Sequence, residues 1–205
     1  MFKNFLSGAR PKQPNLPINI VSGLPRSGTS MMMKMLIAGG IPALTDEVRQ
    51  PDPDNPGGYF EFEPVKQLKD GVMDWLPQAQ GKVVKVIATL LPYLPSSYRY
   101  KVVLMQRAMP EILASQRKML VSRGKDPDTI SDAEMGRIFG LHLQKVAAWM
   151  ASQPNLSYLE VNYNQMIMDP DPLIGRLNQF FDGKLDERKM RGAINPALYR
   201  QRIQT

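Results

Sequence analysis

Short apolar runs alternating with helix-forming stretches set the frame of this chain. Ile18-Asn19-Ile20-Val21 is a β-branched run ended by Ser22-Gly23, the pattern of a strand. A glycine-containing turn follows, and then Ser30–Ala38, rich in strong helix formers and stopped by Gly39-Gly40. Further strands are expected at Val83–Ala88 and Lys101–Gln106, with a weaker one at Ser157–Val161. Helices are expected at Pro110–Val121 and Asp132–Ser152. The second opens on Ser131-Asp132-Ala133-Glu134, a capping-box pattern in which the serine side chain and the glutamate three residues on satisfy end amides. Its apolar residues Met135, Ile138, Phe139, Leu143, Val146 and Met150 recur at helical spacing. Asp171-Pro172 reads as N-cap and first helical residue before Leu173–Phe181. Strands separated by helices predict an α/β fold of one domain, with a mostly parallel sheet covered on both faces. The domain is expected over residues 18–182, after a proline-punctuated N-terminal tail over 1–17 and before a basic, helical C-terminal tail over 183–205.

The stretch between Ile41 and Gly58 breaks the alternation. Pro42, Pro51, Pro53, Pro56 and Gly57-Gly58 forbid a long helix, and Asp46, Glu47, Asp52 and Asp54 crowd into it. Long loops of this kind shape binding sites, so this one is expected to wall an acceptor pocket.

Composition narrows the chemistry. The 205 residues contain no cysteine and one histidine, His142, which excludes thiol nucleophiles, Cys-ligated metals and mechanisms needing a pair of histidines. His142 lies beside Phe139 and Val146 in helical projection and reads as a partly buried structural residue. Lys and Arg number 26 against 19 Asp and Glu, a net charge of +7, which favours an anionic partner. No apolar run approaches the ~20 residues of a membrane span, and the N-terminus lacks a signal-peptide pattern, so a cytoplasmic protein is expected. The fourteen methionines, Met31-Met32-Met33 among them, and the two tryptophans read as core.

Gly23-Leu24-Pro25-Arg26-Ser27-Gly28-Thr29-Ser30 sits where a strand ends and a helix begins. Helix N-terminal amides and the helix dipole favour an anion there, glycines permit close approach, and Ser27, Thr29 and Ser30 add hydroxyls. Two glycines five apart nearly make a P-loop, but Thr29 stands where its lysine belongs and the charge is instead at Arg26. That displacement argues against ordinary ATP hydrolysis.

Pro25-Arg26-Ser27-Gly28-Thr29-Ser30 resembles the loop with which sulfotransferases hold the 5′-phosphosulfate of PAPS (3′-phosphoadenosine-5′-phosphosulfate). The resemblance implies a P-loop-like core and places Arg26 at the family's cation near the bridging oxygen. It also implies a 3′-phosphate site made by an arginine ending a later strand and a serine eight residues on. Arg107 and Ser115 fit. Arg123 and Ser131 share the spacing, but only Arg107 follows a valine-rich strand and precedes a helix. Lys82–Pro92 is similar to the family strand that carries lysine, threonine, histidine, leucine and proline. Lys85 matches its lysine, whereas Ile87 occupies the place of the histidine base. Tyr158–Pro170 looks like a degraded Tyr-Glu-Asp-Leu segment. In the tyrosine-sulfating branch the base is a glutamate after the first helix. Gapless continuation places Glu47 there, with Asp46 adjacent and Arg49 at a nearby arginine, while Glu61 and Glu63 are further acidic candidates. The implied reaction is sulfuryl transfer from PAPS to a hydroxyl or amine of a small molecule or saccharide, with PAP (its desulfated form) as product. No metal and no nucleic-acid partner are expected. A P-loop kinase or NTPase and an inactive nucleotide- or polyanion-binding protein are the competing readings.

Overall fold

A computed structural model describes residues 16–46, 48–52 and 55–199. Four strands, β1 (Ile18–Gly23), β2 (Val83–Lys85), β3 (Tyr100–Gln106) and β4 (Leu156–Asn162), form one sheet in the order β2-β1-β3-β4. Every pairing is parallel, with Ile20 beside Val84 and Val102, and Val103 beside Leu159. All six residues of β1 are buried, as a central strand covered on both faces requires.

Alternation along the strands divides the core in two. Ile18, Ile20, Val84, Val102 and Leu104 face Trp75, Leu91, Val146 and Met150. These come from α2 (Leu76–Ala79) and its preceding residue, a 3-10 turn over Ala88–Tyr93, and α4 (Asp132–Ser152). On the other face Val21, Val83, Val103, Met105 and Val161 meet Met32, Met33, Met35 and Leu36 of α1 (Thr29–Ala38). Met32, Met33, Met35 and Trp75 are therefore core, whereas Trp149 is only partly buried, Met31 is half-buried on a cavity wall and Met168 is exposed. Beside α1 pack α6 (Pro170–Phe180), through Leu173, Ile174 and Leu177, and α7 (Glu187–Gly192), through Met190. Met190 lies where a side chain on Gly39 would stand, 2.9 Å from an added Cβ. Two further helices, α3 (Met109–Ser122) and α5 (Tyr163–Met168), start where β3 and β4 end.

Three expectations need correction. The strand at Val83–Ala88 ends at Lys85: the Val86 amide still donates to the Val21 carbonyl, and the chain then turns to bury Leu90 and Leu91 under the sheet. The helix read as starting at Asp171-Pro172 begins one Asp-Pro pair earlier, with Asp169 as N-cap and Pro170 at the first position. His142 is exposed: it lies one turn before Val146 on the same face of α4, and the buried stripe begins only at Val146 and Met150. The capping box at Ser131 forms as read, its hydroxyl accepting the Glu134 amide at 3.2 Å. Most of the N-terminal tail (residues 1–15) and the last six residues lie outside the described residues.

β1 has β2 on one side and β3 on the other, so the chain leaves β1 for one neighbour and then crosses back over it from β2 to β3. A crevice at the carboxyl ends of such strands is where open α/β sheets take ligands.

Candidate active site

The turn after β1 is built around two glycines and one strained residue. A Cβ on Gly23 (φ +149°) would stand 2.5 Å from Ser27 Oγ and 2.8 Å from the Met105 carbonyl. On Gly28 (φ +100°), the residue before α1, it would stand 2.3 Å from the Tyr163 ring. Between them Arg26 has φ +71°, a conformation costly for a non-glycine residue and concentrated at functional sites. The turn is locked from inside: both the amide (3.2 Å) and the hydroxyl (2.7 Å) of Ser27 donate to the Leu24 carbonyl. Ser27 is thus buried under the loop and braces it, rather than presenting its hydroxyl to the cavity as the sequence led us to expect. Gly23 acts likewise through close packing. Pro25, Arg26, Gly28, Thr29 and Ser30 line the cavity itself.

That cavity holds about 330 Å³ and opens at the carboxyl ends of the strands. Small-molecule sites span roughly 300–1,000 Å³. The residues named from the spacing of the two phosphate signals meet here. Arg26 Nε donates to Ser115 Oγ at 2.8 Å, and Arg107 Nη1 donates to the Arg26 carbonyl at 3.0 Å. The arginine turn after β1 and the arginine–serine pair of β3 and α3 are one interlocked unit, although they are 81 to 89 residues apart in the chain.

Arg107 also pairs with Glu111, Nε to Oε2 at 2.8 Å, with both side chains nearly inaccessible. Its guanidinium lies over the Tyr163 ring, 4.6 Å from the centroid. Asn164 Nδ2 (2.9 Å) and the Tyr199 hydroxyl (2.5 Å) donate to the other Glu111 oxygen. The Arg107–Glu111 pair is therefore a buried strut that fixes the arginine plane. The segment after α7 reaches the same place: Ala193, Asn195 and Leu198 line the cavity. Tyr199 packs edge-on to Tyr163 at 5.6 Å, and burial together with Glu111 raises its phenol pKa.

At the other end Lys85 joins the 41–63 loop to the phosphate turn. Its Nζ donates to Ser30 Oγ at 2.9 Å and to the Tyr59 carbonyl. Asn55 Nδ2 donates to the same Ser30 oxygen (3.0 Å) and to the Gly58 carbonyl (2.6 Å). Burial pulls Lys85 down to about 8, Glu61 opposes that shift, and the charges of Arg49 and Arg26 add to it. Arg49 is sandwiched, its guanidinium 3.3 Å from the Tyr59 ring centroid and its Nη1 2.7 Å from Glu61 Oε1.

Of the two carboxylates placed by register, Glu47 lies outside the described residues. Asp46 is described and does not line the cavity. Its oxygens accept the Val48 amide at 3.1 Å and the Glu63 amide at 2.5 Å, so it works as a loop brace. Ile87, at the histidine's place, is 42% exposed on the cavity wall. Lys34 and Lys118 were missed; Lys118 lies one helical turn beyond Ser115, a spacing that offered the signal. Nothing local pointed to Tyr199. Among the described residues no group of three or more His, Cys, Asp or Glu side chains could hold a metal, and no helix is long and apolar enough to cross a membrane.

An open parallel sheet thus carries, at the carboxyl ends of its strands, a cavity lined by the turn after β1 and by several cations. The family model for the sulfotransferase domain matches residues 17–200, and the chain belongs to the sulfotransferase family. A sulfotransferase from Mycobacterium tuberculosis H37Rv superposes with a TM-score of 0.59 at 19% identity, covering 88% of this chain and 71% of that one. The sulfotransferase domain from the curacin biosynthetic pathway gives 0.51 at 13% identity, covering 88% and 78%. At these identities the two likenesses speak for the fold. No curated protein matches the sequence.

Proposed function

We propose that this chain transfers a sulfuryl group from PAPS to a hydroxyl or amine of a small molecule or saccharide, releasing PAP. The observation that carries the reading is the meeting of two anchors on one cavity: the turn over Pro25–Ser30, and Arg107 with Ser115, bonded through Arg26. A nucleotide with phosphates at both 5′ and 3′ positions is the ligand that uses both. The amides opening α1 and the hydroxyls of Thr29 and Ser30 hold the 5′-phosphate, where the helix dipole favours negative charge. Arg107, Ser115 and the nearby Lys118 hold the 3′-phosphate. Arg26 and Lys85 flank the transferring group and neutralise charge on the leaving oxygen, the electrostatic term that dominates such transfers.

Among the described residues six cations line the cavity, Arg26, Lys34, Arg49, Lys85, Arg107 and Lys118, which suits so anionic a donor. The test is calorimetric titration of PAP against ATP–Mg. Micromolar PAP binding with ATP–Mg at least tenfold weaker supports the reading, and the reverse order assigns the chain to nucleoside triphosphate chemistry instead.

A further inference from the structure

The transfer needs a group to take the acceptor's proton, and the place where the family keeps a histidine holds Ile87. Among the described residues lining the cavity there is one carboxylate and no histidine. The carboxylate is Glu61. We propose that Glu61 is the general base of this site, an inference that rests on the PAPS reading above and names the residue it leaves open.

Glu61 is fixed on the acceptor wall by its backbone and by its partners. Its carbonyl accepts the Asp46 amide at 3.3 Å, and the Asp46 carboxylate in turn holds the Glu63 amide. Asp46 therefore pins the segment that carries the base. Phe60, immediately before it, has φ +52°, a non-glycine residue in a conformation that folded chains keep where the surroundings demand it. One carboxylate oxygen of Glu61 is held by Arg49 at 2.7 Å, with the other 3.5 Å from Lys66 Nζ. Arg49 holds the group in place. Two residues back, the Tyr59 carbonyl bonds Lys85, which ties this wall to Ser30 and the phosphate turn. Glu61 and the turn after β1 therefore line one cavity, with Lys85 bridging the two walls.

In the step, the acceptor oxygen forms a bond to sulfur as its proton passes to a Glu61 oxygen. The bond from sulfur to the bridging phosphate oxygen breaks, and its electron pair stays on PAP beside Arg26 and Lys85. Glu61 then returns the proton to water.

The test avoids the unidentified acceptor by using water as the accepting oxygen. Release of labelled sulfate from PAPS is followed in single turnover for the wild type, Glu61→Gln and Glu61→Asp, with the PAP-induced shift in melting temperature as the check on folding and binding. Glu61→Gln should keep the PAP shift and lose about 10²–10⁴-fold in sulfate release, the range of general-base catalysis. The acidic limb of the wild-type pH–rate profile should vanish with it, and Glu61→Asp should recover part of the rate. Equal release by Glu61→Gln and wild type overturns the assignment. So does a wild type that binds PAP without accelerating attack by water. A wild type that shows no PAP shift overturns the PAPS reading itself, and this assignment with it.

Discussion

Lys85 offers the most direct test of the donor site, because its ammonium loses its proton far more readily than an ordinary lysine before any ligand arrives. Burial pulls it down to about 8, with the charges of Arg49 and Arg26 contributing. About 10% of molecules then carry a neutral Lys85 at pH 7, about 50% at pH 8 and about 90% at pH 9. A phosphate dianion placed beside Ser30 stabilises the charged form and carries Lys85 back toward its ordinary value near 10.5. The sign follows directly. The ligand-bound lysine holds its proton more tightly than the free one, so binding takes up a proton. Affinity is greatest below pH 8 and declines as pH rises through 8. With full recovery PAP should bind about tenfold more weakly at pH 9 than at pH 7, about 1.4 kcal/mol. Calorimetry at pH 8 in two buffers of different ionisation enthalpy, Tris and EPPS, should return about half a proton taken up per PAP. Lys85→Arg, whose guanidinium stays charged throughout, should still bind PAP with no uptake. Zero uptake by the wild type, or the same uptake by Lys85→Arg, refutes the placement of Lys85 against the phosphate.

The same depressed lysine weakens the empty fold. Its cost applies below about pH 8 and fades as pH rises toward 10.5, so Lys85→Met should stabilise the ligand-free protein at pH 7, read as a higher melting temperature, by up to about 3 kcal/mol before the lost bonds to Ser30 and Tyr59 are deducted. Arg107→Ala should weaken PAP at least about 30-fold and adenosine 5′-phosphate hardly at all, as charge-assisted bonds to one phosphate are worth about 2 kcal/mol; equal losses by titration remove Arg107 from the 3′-phosphate. That variant should also lose about 3 kcal/mol in urea denaturation, because Glu111 is left buried without its cation. Gly28→Ala should unfold at markedly lower denaturant, by 2 kcal/mol or more, since its Cβ would overlap the Tyr163 ring at a φ that side chains avoid. An unchanged midpoint would refute that packing.

How much of this was legible in sequence depends on the range over which each feature is encoded. The strands were readable because parallel strands buried on both faces are nearly continuous apolar runs, as in Val102-Val103-Leu104-Met105. Helix α4 announced itself through Ser131 and Glu134, a contact three residues long. The glycine turn after β1 was visible because glycine spacing is local, and Arg107 and Ser115, named through the sulfotransferase resemblance, both line the cavity. Loop carboxylates obey no such rule. Gapless register favoured Asp46 and Glu47, yet the fold of residues 41–63 spends Asp46 on backbone amides and brings Glu61 to the wall. Ser27 misled for a similar reason: its residue type advertises a hydroxyl, and only the packing beneath Gly23 decides that the hydroxyl turns inward. Tyr199 is joined to Glu111 across 88 residues and had no local pattern at all.

These long-range contacts share one physical purpose. Six cations around a small cavity repel one another, and the empty site must hold them without collapse or outward drift. Each of the four that flank the donor and acceptor positions is tied to an internal partner: Arg107 to Glu111, Arg49 to Glu61, Arg26 to Ser115, and Lys85 to Ser30 and the Tyr59 carbonyl. The two carboxylates sit at opposite ends, so neither neutralises the central turn where the transferring group would lie. Orientation is thereby settled before the ligand binds, and the binding free energy is not consumed in ordering flexible side chains. The two ends differ in one respect that matters for chemistry. Glu111 is buried behind its arginine and also accepts bonds from Asn164 and Tyr199, so its oxygens are occupied as a strut. Glu61 faces the cavity, and its ion pair with Arg49 is partly solvent-accessible and so weaker than the buried one. A carboxylate on the cavity wall at one end and one buried as a strut at the other make the two ends chemically unlike, and the proposed reading uses that difference: nucleotide toward α3, acceptor toward the wall that carries Glu61.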